Sequence, residues 1–188
     1  MTEKNALQKE VEKEKERFCA EAKVRQILVD LLGENGHIFH FILTSTPESR
    51  GIVFDEETKT PVLLVPLHLV EMSILPAYIA HEISHVPENA SKFVKMVNMI
   101  TSKFLDFEDK LINFYNHIFG GLAQKEWETD KKGMELLLKA GYNPDILEEF
   151  LVYQLKEVNP KSVLLAYLMN NCLMFRYYKL REQKLKKF

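Results

Sequence analysis

Apolar positions change their spacing along the chain, and the changes mark the elements. Leu7, Val11, Phe18, Ala22 and Leu28 recur near helical spacing among Lys and Glu over residues 3–32. This predicts a helix stopped at Gly33. HIFHFILT, from His37 to Thr44, reads as a strand. Gly51 to Phe54 and Val62 to Val65 read as two shorter strands around the charged turn DEETKT. From Ser73 the helical spacing returns. Pro76 suits the first turn of a helix carrying Ile79, Ala80 and Ile83, and Pro87 ends or kinks it. Residues 88–119 continue the pattern with Phe93, Val97, Ile100, Phe104 and Leu111. Gly120-Gly121 predicts a break before a helix over 122–140, which Gly141 closes. Asn143-Pro144 and Asn159-Pro160 each join a good N-cap to a good first helical residue, so each opens a helix. One helix, about three strands and about five further helices make an α+β chain, a small sheet packed on a mainly helical body. Residues 1–188 read as a single domain, with a helical N-terminal segment (about 3–32) and a helical C-terminal extension (about 160–188).

Composition narrows the class without choosing a function. The 188 residues are 46% apolar and 28% charged, as in ordinary globular proteins, and a formal net charge of −2 gives no reason to expect a nucleic-acid partner. Cys19 and Cys172 are too few and too far apart for a disulfide framework or a thiolate metal site. The N-terminus lacks the apolar stretch of a secretory signal, and no apolar run is long enough to suggest a membrane span. The expectation is a cytoplasmic protein without a transmembrane segment.

The chemistry is concentrated in H-E-I-S-H at 81–85. On a helix, residues four apart share a face, so His81 and His85 can offer two imidazoles to one metal ion. Glu82 lies about 100° round from His81, where its carboxylate can take a proton from water without ligating the ion. A surface helix that happens to carry His and Glu is the competing explanation. The apolar ILPAYIA before the motif weighs against it. A catalytic zinc usually has three protein ligands and an open position, and the best segment for the third is Glu126-Trp127-Glu128-Thr129-Asp130. Glu126 and Asp130 share a face, whereas Glu128 points elsewhere. If Glu126 takes the metal, Asp130 can accept a hydrogen bond from the distal nitrogen of a ligand His and fix its tautomer. A solvated, ion-paired helix turn is the plainer reading of that segment taken alone.

H-E-I-S-H followed by E-W-E-T-D-K-K-G-M-E-L-L-L-K-A-G-Y-N-P resembles the gluzincin metallopeptidases of the HtpX and CAAX prenyl protease group. The similarity is strongest over residues 62–150. The group pairs H-E-x-x-H with E-x-x-x-D, a Gly, a Leu-rich stretch and A-G-Y-[DN]-P. Most of its members are integral-membrane enzymes, so this chain is more similar to the soluble minimal members, the minigluzincins. The resemblance implies a zincin-like fold and one zinc per chain held by His81, His85 and Glu126. It makes Glu82 the general base and Asp130 a partner behind the ligands. The group often has a His-Pro and an Arg further on, but no His follows His117 here. The oxyanion-stabilising group is therefore unassigned, with Arg176, Arg181, Tyr142 and Tyr167 as candidates.

The expected function is zinc-dependent hydrolysis of a peptide or protein substrate, with residues 49–55 as a sheet edge for substrate backbone. The alternative is a zinc-binding homologue that is inactive, or latent because its own tail blocks the metal. His37, His40, His68 and His117 have no partner spacing and read as structural, as does Trp127. The basic, aromatic C-terminus reads as a fraying helix end. Substrate and oligomeric state are not legible.

Overall fold

A computed structural model describes residues 3–47, 49–55, 57–58, 60–86, 108–157 and 163–185. The order is α1 (Glu3–Leu32), α2 (Asn35–Ile38), β1 (His40–Thr44), β2 (Gly51–Phe54), β3 (Pro61–Pro66), α3 (Leu67–Val70), α4 (Leu75–Ser84), α5 (Glu108–Lys139), α6 (Asp145–Glu157) and α7 (Val163–Leu185). The class is α+β: seven helices among the described residues and a three-stranded sheet of order β1-β3-β2. β1 runs parallel to β3 and β2 antiparallel to it, so β1 and β2 are the sheet edges. No helix among the described residues is long and apolar enough to cross a membrane.

The first helix forms over the expected residues but buries a different stripe. Ala20, Val24, Ile27, Leu28 and Leu31 enter the core at spacings of three and four, while residues 8–19 are all exposed, Val11 and Phe18 included. Only the second half of α1 therefore has an apolar stripe wide enough to pack. The first expected strand also starts late. His37 lies in α2, because Arg25 Nη1 donates to the carbonyls of Gly36 and Phe39 at 2.7 Å each and pins that turn against α1. The expected break at Gly120-Gly121 is absent: α5 runs unbroken through both glycines. Glycine costs a helix only about 1 kcal/mol, which a 32-residue helix absorbs. The Asn143-Pro144 start holds, with Asn143 Oδ1 accepting the Asp145 N–H at 3.0 Å. Pro87, residues 88–107 and Asn159-Pro160 lie outside the described residues.

Around α4 the rest is organised. Leu75, Ala77, Tyr78, Ile79, Ala80 and Ile83 are buried, as are the polar His81 and Ser84, so this helix is enclosed nearly all round. Tyr78 ties it to the sheet, its hydroxyl donating to the Leu64 carbonyl of β3 and accepting the Gly51 N–H of β2 at 2.9 Å. On its other side α4 packs closely on α5. Gly133 makes that approach possible, since a Cβ there would lie 3.3 Å from Ala80 C and O and from His81 N. α6 closes a third side through Phe150, whose ring is 6.0 Å from Tyr78 and 5.7 Å from His81.

Candidate metal centre

Three elements meet at one point. α4 brings His81 near its end and His85 just beyond it, still with helical backbone angles (φ −77°, ψ −18°). α5 brings Glu126, and α7 brings Arg176. His81 Nε2 and His85 Nε2 are 3.3 Å apart, and Glu126 Oε2 is 3.4 Å from the first and 3.7 Å from the second. Three ligands of a tetrahedral ion at bonds of about 2.0–2.1 Å stand about 3.3–3.4 Å from one another. The two imidazoles and the carboxylate thus fit one ion, and His81, His85 and Glu126 form a group able to hold a metal.

The atoms facing away are also held. His81 Nδ1 is 2.8 Å from Asp130 Oδ1, which suits a tautomer with the proton on Nδ1 and the Nε2 lone pair free. Asp130 is fully buried. Arg176 clamps it with two hydrogen bonds, Nε to Oδ2 at 2.7 Å and Nη2 to Oδ1 at 2.8 Å. Arg176 Nη1 also approaches Glu126 Oε2 at 3.6 Å. Thr129 is buried beside Asp130. It donates to the Lys125 carbonyl at 3.2 Å and meets His85 Nδ1 in a long 3.5 Å contact.

Without an ion these groups share protons. Burial and Arg176 pull the His81 pKa down, but hydrogen bonds to Asp130 and Glu126 outweigh them and push it up to about 9. Burial would raise the Glu126 pKa, yet hydrogen bonds from His81 and His85 hold it well below the ordinary carboxylate range. Asp130 is also raised by burial, but Arg176, through charge and hydrogen bonding, brings it below its usual value. Below about pH 9 the two carboxylates are therefore matched by Arg176 and a protonated His81, and Arg176 Nη1 reaches the same Glu126 oxygen that faces the imidazoles.

Glu82 is partly exposed, and among the described residues its carboxylate makes no hydrogen bond or ion pair. Its Oε2 would lie 3.6 Å from a Cβ at Gly51, so it stands at the start of the edge strand β2. Glu128 points away, accepting from Gln124 Nε2 at 2.7 Å and pairing with Lys131. Of the four oxyanion candidates, Arg176 is committed to Asp130. Tyr142 donates to Asp30 Oδ2 at 2.7 Å, and Arg181 lies 3.6 Å from Glu148. The Tyr167 side chain lies outside the described residues.

Sequence reasoning considered Arg176 for a different task and missed its clamp on Asp130. A signal was there to read: Arg176 shares a helix face with Leu173 and Leu180, both buried, so its charge had to meet a counter-charge inside. Thr129 was missed because it sits between residues with louder chemistry.

No protein-family model matches the chain, and neither does any curated protein or any solved structure.

Proposed function

We propose that the protein is a zinc-dependent peptidase in which Glu82 is the general base. One observation carries the reading: three ligand atoms stand near tetrahedral spacing, and Glu82, the residue next to His81, is not among them and has no hydrogen-bond partner among the described residues. Two nitrogens and one carboxylate oxygen are a donor set that suits zinc. Bound there, zinc would supply Lewis acidity to a scissile carbonyl and to water. Glu82 accepts the proton of the attacking water and returns it to the leaving amine. Asp130 holds His81 in one tautomer, and Arg176 keeps Asp130 ionised and in place. Among the described residues no strand pairs with the outer side of β2, and its backbone groups would pair with an extended peptide that passes Glu82.

A second reading, a zinc-binding homologue without hydrolytic activity, is favoured by one observation. Among the described residues, Arg176 is the oxyanion candidate that touches the cluster, and it is turned to Asp130 instead. One experiment separates the two. Zinc content and cleavage of a broad mixture of unfolded proteins are measured for the full chain and for Glu82→Gln. The peptidase reading expects one zinc in both proteins and activity about 10²–10⁴-fold lower in the variant. Zinc in both with cleavage in neither selects the second reading, and no zinc in metal-replete protein defeats both.

A further inference from the structure

The two imidazoles are backed unequally. His81 Nδ1 meets the buried Asp130 carboxylate at 2.8 Å. His85 stands just past the end of α4, its side chain 26% exposed against 4% for His81, so water can compete for its ring nitrogens. Among the described residues one polar group meets His85 Nδ1: the hydroxyl of the fully buried Thr129, 3.5 Å away. Glu126, Thr129 and Asp130 are spaced i, i+3 and i+4 on α5, so they share one helix face. The close packing at Gly133 brings this part of α5 against α4. One face thus supplies a ligand and a polar neighbour for each imidazole.

A threonine hydroxyl has a single proton to donate. That of Thr129 goes back one turn to the Lys125 carbonyl at 3.2 Å, a bond that Thr within a helix commonly makes. The oxygen keeps only lone pairs, so it faces His85 Nδ1 as an acceptor. A neutral imidazole with its proton on Nδ1 presents a bare Nε2. In His85 that Nε2 is the atom 3.3 Å from His81 Nε2 and 3.7 Å from Glu126 Oε2. We infer that Thr129 is a positioning residue: it accepts a hydrogen bond from His85 Nδ1–H and so holds the second imidazole with Nε2 turned to the metal. The inference rests on the zinc reading above, but it makes a claim about His85 that zinc binding by itself does not require.

The test compares the full chain with Thr129→Val, which keeps the shape and loses the hydroxyl, and with Thr129→Ser, which keeps the hydroxyl and loses a methyl group. Zinc affinity is read by competition with a chelator, and stability by urea unfolding of the metal-free proteins. Affinity should fall about tenfold in Thr129→Val, the low end of the range for a lost partner behind a ligand His, and stay near wild type in Thr129→Ser. Stability should follow the opposite order, because Ser leaves a gap in a packed site and Val does not. A residue that merely packs would lower both quantities together. Nitrogen-15 NMR of the zinc-loaded proteins supplies a direct signature. The His85 Nδ1 proton should exchange with water faster in Thr129→Val than in wild type, while the His81 Nδ1 proton is unchanged. Wild-type zinc affinity in Thr129→Val, equal losses in the two variants, or a His85 proton that exchanges no faster each overturns the positioning role and leaves zinc binding standing. A wild-type chain that holds no zinc removes the zinc reading and this inference with it, so the wild type alone tells the two failures apart.

Discussion

Replacing Gly133 with Ala inserts a methyl group into the tightest contact between α4 and α5. The added carbon would lie 3.3 Å from Ala80 C, Ala80 O and His81 N. Comfortable separations between such atoms are about 3.5–4.0 Å, and all three are backbone, so no side chain can turn aside. α4 has to retreat as a body, by roughly 0.2–0.7 Å on these separations. Two effects then oppose each other in the folding free energy. Ala in place of a helical Gly contributes about 1 kcal/mol, while overpacking costs about 1–3 kcal/mol. The net change is a loss of roughly 0–2 kcal/mol. Metal binding has no such compensation, because His81 and His85 travel with α4 and Glu126 with α5, and metal–ligand distances tolerate only about ±0.2 Å. Zinc affinity should therefore fall about 10–100-fold, the range seen when ligands lose their supporting contacts. Competition with a chromogenic chelator reads the affinity, and urea unfolding of the metal-free protein reads the stability. Wild-type zinc affinity together with a full 1 kcal/mol gain in stability would refute the reasoning, since it would mean the helices are not in contact at this point.

Three further outcomes are expected. Glu126→Gln should weaken zinc binding sharply, whereas Glu128→Gln should leave it nearly intact because Glu128 is engaged with Gln124 and Lys131; metal analysis after dialysis decides, and the reverse order would reassign the third ligand. Arg176→Met strands the buried Asp130 carboxylate and should cost about 3–5 kcal/mol in denaturant unfolding, with Arg176→Lys costing less; a loss under 1 kcal/mol would deny the clamp its role. The raised His81 pKa makes its proton a stabiliser of the metal-free protein, fully present below the unfolded value of 6.5 and lost as pH rises through about 9. Zinc must displace that proton. Calorimetry in buffers of different ionisation enthalpy should show about one proton released per zinc at pH 7, and affinity should tighten about tenfold per pH unit until about pH 9. Uptake without proton release would show that His81 is neutral beforehand.

Local rules were legible in the sequence where chemistry and periodicity coincided. His81 and His85 share a face because four residues nearly complete a turn, and Asn143-Pro144 caps a helix through its own side chain. Tertiary competition decided the rest. The stripe buried by α1 depends on how far the rest of the protein extends along it, and nothing in its heptads says so. Gly120-Gly121 looked like punctuation, yet a glycine pair only taxes a helix, and the length of α5 outweighs the tax. His68 looked solitary because its partner, Tyr153, is 85 residues away. That Asp130 could reach a His of the motif was legible from spacing alone. Its own partner was hidden because Arg176 lies on a helix whose position no local signal fixes.

The clamp between Arg176 and Asp130 also gives assembly of the site an order in time. Arg176 follows Asp130 by 46 residues. At about 5–20 residues per second, synthesis needs roughly 2–9 s to cover that interval. A nascent chain can hold His81, His85, Glu126 and Asp130 long before the guanidinium that neutralises Asp130 exists. During that interval a buried carboxylate without its cation disfavours the closed arrangement of α4 and α5. The closed arrangement of His81, His85 and Glu126 is therefore a late product of synthesis, and a chain interrupted before α7 carries all three residues without the clamp that holds them in place.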